Sequence, residues 1–62
     1  MNLSKEQAED LLDVIPAIAR AGLVNPIVFQ GVWLKEIDGV IFWKSPEETQ
    51  WKTTDELQRI AN

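Results

Sequence analysis

Apolar residues fall at Ala8, Leu11, Leu12, Ile15, Ile18 and Ala19, and steps of three and four place them on one face of a helix. Glu6, Glu9, Asp10, Asp13 and Arg20 take the opposite side. Ser4 stands before the run with Gln7 three residues on, the pattern of a capping box. Gly22 follows as a C-terminal stop. The phase continues across Pro16, so the pattern predicts one kinked helix from about Lys5 to Ala21. A proline inside a regular helix costs about 3 kcal/mol. The alternative is a break at Ile15, with Pro16 opening a second short helix.

Beyond Asn25-Pro26, a turn signal, the period changes from 3.6 to 2. Ile27, Val28 and Phe29 have high strand propensity. Gly31 marks either a bulge in one long strand or the turn of an extra hairpin. Asp38-Gly39 lies between β-rich runs and predicts a two-residue type I′ turn. That turn sets Ile37 opposite Val40, Lys35 opposite Phe42, Leu34 opposite Trp43 and Trp33 opposite Lys44. Val32, Leu34, Ile41 and Trp43 then share one face, with Glu36 as its single charge. Trp33, Ile37, Val40 and Phe42 share the other face with Lys35 and Lys44. The run 45–48 reads as a loop, and 49–52 as a short third strand. Thr53, with Glu56 three residues later, predicts a second capping box for a helix whose apolar residues are Leu57, Ile60 and Ala61. The expected fold is α+β: an N-terminal amphipathic helix, a three-stranded antiparallel meander and a short C-terminal helix. The whole chain, 1–62, is expected to be a single small domain.

Composition narrows the chemistry. A chain of 62 residues without cysteine or histidine has no disulfide and lacks the usual zinc ligands, so packing or self-association must stabilise it. No EF-hand spacing, glycine-rich phosphate loop or nucleophile elbow is present. No catalytic residue, cofactor or metal is therefore expected, and the chain is not expected to be an enzyme. The net charge of −4 disfavours duplex DNA. No apolar run is long enough for a membrane span, and the N-terminus lacks a signal-peptide pattern. A cytoplasmic protein is expected, read as a complete small gene product of a bacterial or phage type.

All three tryptophans lie between Val32 and Trp51. Small cores are dominated by aromatics, so most of this cluster is expected to be core. One helix can cover only one face of the meander, however. The lysine stems can lie over an apolar rim while their charges stay in water. Trp33, Lys35, Ile37, Val40, Phe42 and Lys44 are therefore the candidate partner-binding patch, with Glu9 and Asp13 on the helix giving orientation. The like-charge pairs Glu6–Asp10 and Glu9–Asp13 carry a small local cost of about 0.2–0.5 kcal/mol each, although a solvated helix face is by far the commoner explanation of such a row. The expected role is a small protein-binding regulator or accessory protein. Two alternatives use the same residues. One is a single-strand nucleic-acid binder that places Trp33, Phe42, Trp43 and Trp51 beside Lys35, Lys44 and Lys52. The other is a homo-oligomer that buries the patch against its copy.

Overall fold

The computed structural model describes residues 3–62. Its order is α1 (Lys5–Ala21), β1 (Ile27–Phe29), β2 (Val32–Ile37), β3 (Val40–Lys44) and α2 (Thr54–Ala61). The strands form one antiparallel sheet in the order β1-β2-β3. Fold class and element order are those the hydrophobic pattern predicts.

The capping box of α1 forms in both directions. Gln7 N donates to Ser4 Oγ at 3.1 Å, and Ser4 N donates to Gln7 Oε1 at 3.0 Å. The helix runs through Pro16 without a break. Pro16 is exposed, and the Leu12 carbonyl loses its intrahelical donor there. At the far end Gly22 N donates to Ile18 O at 2.9 Å, and its φ of 82° suits a residue without Cβ.

The β2–β3 register matches the prediction pair for pair, from Trp33↔Lys44 to Ile37↔Val40. Both turn residues, Asp38 and Gly39, have positive φ, at 53° and 81°. Two further features define the composition of the sheet. Gln30 and Gly31 also take positive φ, 55° and 73°, which decides between the two readings of Gly31: it belongs to the turn of an extra hairpin, and β1 is a separate strand. The run 49–52, predicted as a strand, contributes one isolated bridge, Trp43↔Lys52. Its backbone is anchored only where Trp43 N donates to Lys52 O (3.0 Å) and Lys52 N donates to Trp43 O (2.7 Å). A second correction concerns α2. Thr53 occupies its N-cap position but makes no side-chain cap bond, and Glu56 is drawn forward to Arg59 at 2.8 Å instead of back to the cap.

The core lies between the helices and one face of the sheet. Ala8, Leu11 and Ile15 of α1 and Leu57 of α2 pack against Val32, Leu34, Ile41 and Trp43. Leu12 and Ile18 are partly buried at its border. Glu36, the single charge on that face, is used locally. Its Oε1 accepts from Leu23 N at 2.7 Å and its Oε2 from Gly39 N at 3.2 Å. One carboxylate thus ties the loop after α1 to the β2–β3 turn.

Two outcomes are expected. Ile15→Ala removes a buried side chain and should cost about 2–5 kcal/mol, whereas the exposed Asp13→Ala should change stability by less than about 0.5 kcal/mol. Urea unfolding of the two variants checks the helical phase, and the reverse order would contradict it. Glu36→Ala strands two backbone donors and should cost about 1–3 kcal/mol. Amide exchange would then quicken at Leu23 and Gly39 together; acceleration at only one of them would show that the tie is not shared.

Candidate functional site

Alternation within the strands decides which side chains reach the far face of the sheet. Trp33, Lys35 and Ile37 of β2 stand opposite Lys44, Phe42 and Val40 of β3. Val28 of β1 extends the row beside Trp33. Both helices pack on the other side, where the core lies, and α1 packs directly on α2. The exposures follow from this arrangement. Trp43 is 2% exposed, whereas Trp33 is 37%, Ile37 49%, Val40 52% and Val28 54% exposed. Phe42, Lys35 and Lys44 are half-buried. The six sheet residues of the candidate patch therefore lie together on one helix-free face.

Glu9 and Asp13 do not join them. Both are exposed on α1, the layer that covers the opposite face of the sheet. Asp13 lies about 150° around the helix from the core-facing stripe at 100° per residue. One contact surface cannot include Asp13 and Trp33 without wrapping the domain. The neighbouring Asp10 is engaged differently, accepting from Gln30 Nε2 at 3.4 Å near the β1–β2 turn.

Two members of the face are absent from the sequence-derived patch. Val28 belongs to it once Gln30-Gly31 is a turn. Trp51 belongs to it because Lys52 bridges Trp43 on the core side, and its predecessor must then point the other way. The Lys35 ammonium stands 4.4 Å from the centroid of the Trp51 ring, and that of Lys44 5.5 Å. Lys44 Nζ also donates to the Glu48 carbonyl at 2.9 Å. Cations held over an indole in this way gain about 0.5–1 kcal/mol at exposed sites.

A separate cavity of about 260 Å³ opens beside Trp43, lined by Leu3, Ser45, Glu48, Lys52, Glu56 and Ile60. Lys52 Nζ meets both Glu48 oxygens, at 2.8 and 3.0 Å. That hydrogen bond, aided by the lysine charge and by the Ser45 backbone contact and opposed by desolvation, holds the Glu48 carboxyl below its ordinary range. Lys52 Nζ is thus committed to the Glu48 carboxylate within this cavity. Among the described residues no three acidic side chains gather as a metal site requires, and no helix is long and apolar enough to cross a membrane. Comparison of the chain with models of protein families, with curated proteins and with solved structures gives no significant match.

The two faces predict opposite consequences for two tryptophans. Trp43→Ala should remove about 3–5 kcal/mol and unfold much of the population. Trp33→Ala should leave a folded protein, with a loss of less than about 1.5 kcal/mol. Acrylamide quenching of single-tryptophan variants provides the check. Equal shielding of Trp33 and Trp43 would mean that the outer face is closed.

Proposed function

We propose that this chain is a protein-binding module, a small regulator or accessory protein, which docks its partner through the helix-free face of the sheet. The observation that carries this reading is the continuity of exposed apolar groups there. Val28, Trp33, Ile37 and Val40 come from three strands and lie on one surface that neither helix covers. Scattered exposed apolar residues are normal on a protein, but a contiguous patch marks an interaction site. Trp33 is its natural anchor, because tryptophan is enriched among the residues that dominate binding energy. The patch is also rigid. Two tight turns and a paired central strand hold it, so little ordering entropy is lost on docking.

The acidic side of α1 has no place in this interface and is assigned to solvation. Its residues Glu9 and Asp13 face away from the patch, and a charged helix surface keeps a small protein dispersed.

Affinity capture from a lysate of the native host tests the reading, with the wild-type chain and Trp33→Ala immobilised side by side. The wild-type chain should retain a partner that the variant loses, while circular dichroism of the two stays alike. Identical captured proteins on both would place the interface elsewhere.

A further inference from the structure

The strand-borne charges of the helix-free face are all of one sign. Of the three charged residues in the strands, Glu36 lies on the core side and is engaged by Leu23 and Gly39. Lys35 and Lys44 remain on the open face, and their ammonium groups converge on the single ring of Trp51. Among the described residues neither lysine forms an ion pair; the nearby Glu48 carboxylate is taken by Lys52.

We propose that the occupant of this face is an acidic protein segment. It lays apolar side chains over Val28, Trp33, Ile37 and Val40 and sets a carboxylate between Lys35 and Lys44. The proposal rests on the docking reading above and adds the chemistry of the partner. Any cover over Trp33 also removes water from the two ammonium groups beside it. A cation that loses water without gaining a partner is costly, and a carboxylate offsets that cost. A neutral surface would leave both charges unmatched, and a basic one would add repulsion.

A second copy is a poor fit for the same reason. The open face contributes no strand carboxylate, so two copies placed face to face bring lysines against lysines or against apolar groups. A nucleic-acid strand is anionic but fits less well. The side of Trp51 that meets the ammonium groups is not open to a base, which leaves Trp33 to stack one base among exposed valine and isoleucine, short of the row of aromatics that a single strand tracks. Two of the carboxylates behind the net charge of −4 are remote from this face. Glu9 and Asp13 lie across the domain, which measures 27 × 22 × 17 Å, against a screening length of about 8 Å at physiological salt.

Selection from a random-peptide display library tests the proposal, run on the wild-type chain, on Trp33→Ala and on Lys35→Gln/Lys44→Gln. Peptides recovered on the wild-type chain should combine large apolar residues with Asp or Glu and should fail on Trp33→Ala. A recovered peptide should bind the double glutamine variant at least about tenfold more weakly. Circular dichroism verifies that this variant, which keeps most of each stem, is folded. Lys35→Glu/Lys44→Glu should shift the selection toward basic peptides. Trp33-dependent peptides of neutral or basic character would overturn the acidic partner while leaving the docking face intact. Peptides indifferent to Trp33, or none at all, would overturn the docking face as well. Two further results would refute the proposal. One is an oligodeoxythymidine that binds the chain and displaces the peptides. The other is a Trp33-dependent dimer detected by light scattering.

Discussion

Trp43 decides which face of the sheet is covered. Its indole fills the core, its backbone bridges Lys52, and its Nε1 donates to the Thr53 carbonyl at 2.8 Å. Thr53 is the residue at which α2 begins. The same tryptophan that receives α1 on its face therefore fixes the start of α2 on the same side. The Lys52 ammonium, 5.0 Å from the Trp43 ring and paired to Glu48, closes the edge of this arrangement. With both helices committed to one side, the other face of the sheet carries no helix among the described residues, and only the Trp51 segment reaches over it. The exposed patch is thus a consequence of how the core is assembled rather than a separate feature added to it.

Size makes that division necessary. A domain of this length buries only about 60% of the surface its unfolded chain exposes, and it has no disulfide to constrain the unfolded state. Two helices on one face let Leu57 add to a cluster already containing Leu11, Leu34 and Trp43. One helix on each face would have split the same apolar residues into two thinner layers, each less shielded from water. Concentrating them gives one dry core and leaves Val28, Trp33, Ile37 and Val40 wet. Lys35 and Lys44 soften that exposure. Their stems belong to the face, and their charges rest on Trp51.

Much of this was legible in the sequence where a local rule decides the outcome. Asp38-Gly39 set the β2–β3 register, and with it the separation of Trp43 from Trp33, because side chains alternate strictly along a strand. The phase of α1 followed from its apolar spacing. The failures fell where a local rule was weak or a distant contact decided. Gln30 is an uncommon residue at positive φ, so Gly31 left a bulge and a hairpin turn both open, and Val28 was not counted in the patch. The predicted strand at 49–52 has only Trp43 as a partner, so propensity could not extend it. The separation of Asp13 from Trp33 depends on the packing of α1 against the sheet, which no short pattern encodes.

That separation also limits what the chain can do for itself. The outer side of α1 exposes Glu9, Asp13, Pro16 and Ala17, which makes it acidic but without a large apolar side chain. On the proposed reading, whatever docks on the outer side of the sheet brings both a carboxylate for its lysines and bulk to cover Trp33. A copy that offered its helix would meet the charges and leave the tryptophan wet, and such a head-to-tail contact would form an open chain unless its rotation closed a ring. A copy that offered its sheet would cover the tryptophan and crowd the lysines. Neither surface complements the patch in full, which is why the proposal assigns it to a different polypeptide, one that brings acid and apolar groups together in a single segment.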